Sequence, residues 1–200
     1  MQFYSQIGQD EWVYSMFPNK TDGYFVELGA DDGVSLSNTL FFEKERNWKG
    51  ICIEPNEFSY QKLVQNRKCH ISHELIHSEN DKVVNFEYMD MLSGIVDYSP
   101  KYKTAGASVV QKSTKTLAYV LDQFQAPNVI DYLSLDVEGH EYDILSTFPF
   151  DRYQFKCMTV EHNAPMFGSD ARNKIRKLLT EKGYTFVKGN EDVQKPILPH

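Results

Sequence analysis

The sequence predicts an α/β fold with a doubly wound, mostly parallel sheet and helices on both faces. Three observations carry this. Short apolar runs alternate along the chain with runs of helical periodicity. The first apolar run, Tyr24 to Leu28, enters a glycine turn at Gly29 and Gly33, and a second, Gly50 to Ile53, follows roughly 20 residues later and ends at Glu54, the layout of a nucleotide-binding βαβ unit. Five apolar runs end directly in polar or ionisable residues: Glu27-Leu28-Gly29, Ile53-Glu54-Pro55, Ile76-His77-Ser78, Leu135-Asp136-Val137-Glu138 and Val160-Glu161-His162-Asn163. Ligands of open α/β sheets bind outside the carboxyl ends of the strands, so five such ends in register describe a site.

In chain order, residues 1–22 are expected to form an amino-terminal helical cap. Trp12, Val13, Met16 and Phe17 fall at helical spacing, and Ser5 and Asp10 are the candidate caps. Gln6, Gln9 and Asp10 read either as capping or as reaching a ligand. Thr39 to Arg46 is a helix with Leu40, Phe41 and Phe42 on its apolar face. Pro55 stops the second strand, and Ser59 to Gln65 is helical. His70 to Ile76 is the third strand and Val83 to Met89 another. Asp90 to Gly106 has no clear period and reads as a mobile segment over the site. Ala107 to Gln111 is a strand, and Leu117 to Phe124 a helix capped by Thr116. Ile130 to Leu135 and Cys157 to Val160 are strands separated by a short helix, Tyr142 to Phe148. Asp170 to Lys182 is the clearest helix, with Ala171, Ile175, Leu178 and Leu179 in line, a cap at Ser169 or Asp170 and a stop at Gly183. Tyr184 to Lys188 is a last strand, and residues 189–200 are expected to fray.

Two hundred residues with 41% hydrophobic content suit one domain, 1–200, with a real core. A net charge of −7 argues against a general nucleic-acid binder, which needs a basic face. Lys101, Lys103, Lys112 and Lys115 form a loose cluster that reads as a solvated loop face or as contact with an anionic substrate. Cys52, Cys69 and Cys157 suit neither a disulfide framework nor zinc, so a reducing compartment is the default. No secretory signal and no membrane-length apolar run is visible, so the expectation is a cytoplasmic protein.

Charge selects among nucleotide-like ligands. A pyrophosphate wants bare backbone amides at a helix start. Here the turn carries Asp31 and Asp32, and the strand before it carries Glu27. Carboxylates repel phosphate and favour a cation. S-adenosylmethionine has an ammonium and a sulfonium and no phosphate, so it is preferred over a nicotinamide dinucleotide.

The segments SQIGQDE (from Ser5), YFVELGADDG (from Tyr24), LSNTLFFE (from Leu36), GICIEPN (from Gly50), DYLSLDVEGHE (from Asp131) and TVEHN (from Thr159) occur in an order that resembles the FkbM-type methyltransferases. These are a branch of the class I, Rossmann-like S-adenosylmethionine-dependent enzymes. The resemblance covers nearly the whole chain. It implies that Glu27, Gly29, Ala30 and Asp32 line the methionine half of the cofactor, and that Glu54 holds the ribose hydroxyls with Pro55 and Asn56 beside it. It places His77 and Ser78 near adenine, and Gln9, Ser37 and Asn38 at the cofactor's carboxylate or hydroxyls. It points to O-methylation of a sugar or glycan hydroxyl, with Tyr88, Tyr98, Tyr102 and Phe167 as candidates to stack on the ring.

A hydroxyl acceptor needs a base beside the methyl donor. His162 is the first choice because its ordinary pKa lies nearest neutrality. Asp136 is the second, or the partner that orients the imidazole, and Glu138 and His140 complete the catalytic candidates. Asp136 with Glu161 and His162 also offers ligands for a divalent cation, a reading not favoured over metal-free chemistry. The competing readings are a nicotinamide-dependent oxidoreductase, a non-catalytic nucleoside-binding module, and a methyltransferase of nucleic acid, protein or a non-sugar natural product.

Overall fold

The computed structural model describes residues 1–89, 91–98, 108–162, 169–187 and 197–199. Its main sheet contains β1 (Tyr24–Leu28), β2 (Lys49–Ile53), β3 (His70–Ser72), β8 (Val129–Leu135), β9 (Gln154–Val160), β10 (Tyr184–Phe186) and β11 (Ile197–Pro199). The strand order is β10-β11-β9-β8-β1-β2-β3. β1 lies parallel between β2 and β8, β9 is parallel to β8, and only β11 runs antiparallel to its neighbours. The order reverses direction beside β1, so the ends of β1 and β8 form a switch-point crevice.

Alternation along the strands sends one set of side chains to each face. Val26, Leu28, Ile51, Ile53, Leu133 and Leu135 pack on one side. They meet Leu117, Val120 and Leu121 of α4 (Leu117–Gln123), Ile144 and Leu145 of α5 (Glu141–Ser146), and Ile175 and Leu179 of α6 (Asp170–Glu181). Phe25, Cys52, Tyr132 and Cys157 pack on the other side. They meet Val13 of α1 (Gln9–Met16), Phe41 and Phe42 of α2 (Leu40–Arg46) and Leu63 of α3 (Glu57–Asn66). Helices therefore cover both faces, as the sequence predicts.

Three departures have physical reasons. The expected strand from His70 to Ile76 is two strands. β3 stops at Ser72, and β4 (Leu75–Ile76) joins a second sheet of order β4-β7-β5-β6, with β5 (Val83–Tyr88), β6 (Gly94–Ile95) and β7 (Ser108–Lys115). That sheet buries Leu75, Phe86 and Ile95 as a separate small core. The proposed caps of α1 do not sit at its start: the N-cap is Gly8, and Asp10 accepts from Tyr4 N (2.6 Å), Ser5 N (3.2 Å) and Ser5 Oγ (2.5 Å), pinning the amino-terminal arm. Thr116, by contrast, caps α4 through Tyr119 N as expected. The tail expected to fray supplies β11, whose backbone pairs with both β9 and β10 and so covers their edges. Pro196 and Pro199 read as breakers in the sequence, but Pro199 closes the strand at its end, where proline is tolerated. Part of the aperiodic segment 90–106 lies outside the described residues, as do Lys101, Tyr102, Lys103, Asn163 and Phe167. Lys112 and Lys115 are engaged: Lys112 Nζ donates to the Pro55 carbonyl at 2.5 Å and Lys115 Nζ to Asp81 at 2.7 Å. All three cysteines are free thiols.

Candidate functional site

A cavity of about 490 Å³ opens at the carboxyl ends of β1, β2, β8 and β9. Gly29 and Ala30 form its floor. Gly29 has φ 74°, and a Cβ there would lie 1.9 Å from the Asp136 carbonyl, so the β1 and β8 ends approach closely only because this residue is glycine. The described residues lining the cavity include seven carboxylates, Glu27, Asp31, Glu54, Glu74, Asp136, Glu138 and Glu161, and neither a lysine nor an arginine.

Glu54 ends β2 and is buried. Its Oε2 accepts from Asp31 N at 2.8 Å and its Oε1 from Asn56 N at 2.7 Å. Two backbone bonds leave part of the carboxylate's acceptor capacity for a ligand. Burial pushes its pKa up to about 7 against those bonds. Burial likewise pushes Glu141, which accepts from Val137 N and Gly139 N, up to about 7.

Such shifts set a sign for stability. A carboxyl with a raised folded pKa keeps a proton that the unfolded chain has released, so its contribution falls as pH rises from about 4.5 to about 7. The buried His140, at about 4, and His77, with the half-buried His73 and His162, all lowered, act oppositely below 6.5. Glu54→Gln isolates the carboxyl term. The stability of the parent relative to this variant is expected to fall between about pH 5 and about pH 8, by on the order of 2 kcal/mol. Parallel melting profiles across that window would contradict it.

Glu27 is deeply buried and turned to protein donors. Asn38 N (2.7 Å), Ser37 Oγ (3.1 Å), Thr39 Oγ1 (2.6 Å) and Arg67 Nη1 (3.3 Å) all point to it. Ser37 and Asn38 line the cavity; Asn38 donates to Ser134 Oγ at 2.8 Å, and its buried Oδ1 has no partner among the described residues. Gln6, Ile7 and Gln9 of the amino-terminal arm also line the cavity, so the arm reaches it.

Several expected contacts are absent from the described cavity wall. Asp32 accepts from Val34 N (2.8 Å), Ser35 N (2.7 Å) and Ser35 Oγ (2.8 Å), which closes its own turn and holds its pKa low despite partial burial. Asn56 caps α3 through Phe58 N and donates to Ser93 Oγ at 2.9 Å. His77 and Ser78 bond each other, and the His77 ring stacks on His140 at 5.9 Å. They miss the cavity because the strand they were expected to end breaks earlier. Glu74, Leu75 and Ile76 line it in their place, with Phe86 and 91–94 from the second sheet and its loop. Tyr88 and Tyr98 pack on Phe86 and on His77 and His140, respectively, and are not among the residues described as lining this cavity. Periodicity did not assign Glu74 and Leu75 to the wall, whereas Ile76 sits at an expected strand end and 91–94 fall in the segment expected over the site.

At the β8 and β9 ends, Asp136, Glu138 and Glu161 each present an oxygen within 4.8 Å of the others, a set that can hold a divalent cation. Asp136 is pushed well above the usual carboxylate range by burial and by its hydrogen bond to Glu161, and Glu138 and Glu141 add to the rise. Asp136 thus holds its proton through the ordinary carboxylate range. Its Oδ1 has no partner among the described residues. His140 lines the cavity but is buried, with Nε2 3.0 Å from the Ile76 carbonyl, and burial drives its pKa to about 4. His162 stands outside the described cavity wall. Burial and the cations of Arg176 and Arg172 lower its pKa. The cation set is thus Asp136, Glu138 and Glu161, with His162 excluded from it.

Residues 27–186 match the model of the methyltransferase FkbM domain. The chain belongs to the FkbM methyltransferase family, whose cofactor is S-adenosylmethionine. No curated protein matches it. Among solved structures, it is similar to a candidate RNA methyltransferase from Pyrococcus horikoshii, with 13% identity, a TM-score of 0.47, and coverage of 90% of this chain and 66% of that one. It is also similar to precorrin-6y C5,15-methyltransferase from Geobacter metallireducens, with 11% identity, a TM-score of 0.44, and coverage of 94% and 85%. A methyltransferase from Pyrococcus furiosus gives 10% identity, a TM-score of 0.46, and coverage of 99% and 86%. In this FkbM-family chain no helix of the described residues is long and apolar enough to cross a membrane.

Proposed function

We propose that this FkbM-family chain binds S-adenosylmethionine in the cavity and methylates a hydroxyl of a sugar or glycan. The observation that carries the cofactor half is the lining: seven carboxylates with no lysine or arginine among the described residues. Such a wall suits a cationic ligand without phosphate and disfavours a dinucleotide or a nucleic-acid backbone. The unpartnered acceptor Asn38 Oδ1 fits a ligand rich in donors. When bound, S-adenosylmethionine supplies a methyl group activated by the adjoining sulfonium.

The chain's residues divide the remaining work. Glu54 accepts from the ribose hydroxyls. Gly29, Ala30 and Asp31 form the floor, and Gln6 and Gln9 bring amide donors for the methionine carboxylate. Asp136 and Glu161, side by side at the β8 and β9 ends, are the carboxyl groups placed to take the acceptor's proton. Glu138 and Glu161 can instead join Asp136 around a divalent cation that lowers the hydroxyl pKa. The sugar or glycan acceptor rests on the family resemblance.

Calorimetric titration with S-adenosylhomocysteine, with NAD⁺ in parallel, tests the cofactor reading. Saturable binding of the first alone is the expected result, and binding of the dinucleotide alone overturns it. A sugar-acceptor screen run with EDTA and with added Mg²⁺ then separates the base from the cation reading. Turnover that survives EDTA supports the base.

A further inference from the structure

Arg67 lies between α3 and β3 with its side chain shielded from solvent. Its guanidinium is spent on five acceptors. Nε donates to Glu43 Oε2 at 2.9 Å. Nη1 faces Glu27 Oε2 (3.3 Å), the Gly33 carbonyl (3.1 Å) and Ser37 Oγ (3.1 Å). Nη2 donates to Thr39 Oγ1 at 2.9 Å. Its stem packs against Gly33, where φ is 78° and a Cβ would stand 2.6 Å from Arg67 Cγ. The planar fork reaches separate acceptors at once, which a lysine ammonium cannot.

Arg67 itself does not line the cavity, but Glu27 and Ser37 do, and Asn38 N is held by Glu27. We propose that Arg67 is a positioning residue for S-adenosylmethionine: it holds the segment from Gly33 to Thr39 in the shape that brings Ser37 and Asn38 to the cavity wall. It does so in two ways. It bonds the segment directly at Gly33, Ser37 and Thr39. It also bonds Glu27, whose carboxylate accepts from Ser37, Asn38 and Thr39 together. Glu43 balances its charge from the far side.

The inference rests on the proposed cofactor site, and S-adenosylhomocysteine titrations of parent, Arg67→Lys and Thr39→Val test the two separately. Thr39 is buried and lies off the cavity wall, so its variant alters the segment with no loss of ligand contact. Calorimetry reads dissociation constant and stoichiometry independently. Misfolding lowers the stoichiometry of binding, whereas a misplaced wall raises the dissociation constant of the folded molecules. The expected result is about a tenfold rise for Arg67→Lys and about threefold for Thr39→Val, with stoichiometry near that of the parent. If Arg67→Lys does not fold, Thr39→Val decides. Dissociation constants within a factor of about 1.5 of the parent in every variant that folds, or a loss confined to stoichiometry, overturn the positioning role. Failure of the parent to bind overturns the cofactor site itself.

Discussion

Glu54→Ala is expected to weaken S-adenosylhomocysteine binding by about 10- to 100-fold. A hydrogen bond to a charged acceptor contributes about 1.5–3 kcal/mol, and this carboxylate still has acceptor capacity after bonding Asp31 N and Asn56 N. The substitution also frees those two amides at the cavity floor, so Glu54→Gln is the necessary companion. It keeps one acceptor oxygen and the side-chain volume and should lose less. Binding should also tighten as pH rises through about 7, because the ionised form accepts both ribose hydroxyls. Calorimetry on the three proteins at two pH values measures all of this. Affinity of Glu54→Ala within twofold of the parent would remove Glu54 from the ribose.

The elements around Glu54 were legible because their signals are local. Tyr24 to Leu28 is an unbroken apolar run into glycine, and it is β1 to the residue. Lys49–Ile53 differs from its expectation by one residue. What the sequence hid is side-chain direction. Glu27, Asp31 and Asp32 were grouped as one acidic bend, yet Arg67 and the 37–39 segment consume Glu27, and Asp32 closes its own turn. Asp31 stays on the cavity wall, with Ser59 Oγ donating to it at 2.5 Å. The preference for a cationic ligand survives, but its source has moved toward Glu54, Glu74 and the trio Asp136, Glu138 and Glu161. Nothing marked Arg67, since a single arginine between a helix and a strand has no period and its five acceptors come from distant positions. The pairing of Leu75 and Ile76 with Thr114 and Lys115 is equally non-local, which is why the second sheet was not read, although 91–94 fall in the segment expected over the site.

The same hidden directions reverse the order of the candidate bases. His162 was preferred for its ordinary pKa, but reach comes before pKa in choosing a general base, and its ring stands outside the described cavity wall near Arg172 and Arg176. His140 lines the cavity, but the Ile76 carbonyl holds its Nε2, and a pKa near 4 makes it a weak base. Asp136 lines the cavity, carries an unpartnered buried oxygen, is hydrogen-bonded to Glu161, and is made more basic by burial. Asp136→Asn is therefore expected to lower turnover by about 10²- to 10⁴-fold, the range for a positioned base, with S-adenosylhomocysteine affinity changed far less. His162→Ala is expected to stay within about threefold of the parent, because it alters no described cavity contact. Turnover of both variants on the acceptor that the sugar screen returns decides between them. A collapse in His162→Ala with Asp136→Asn near the parent would return the proton to the imidazole and require that ring to swing into the cavity when the acceptor binds.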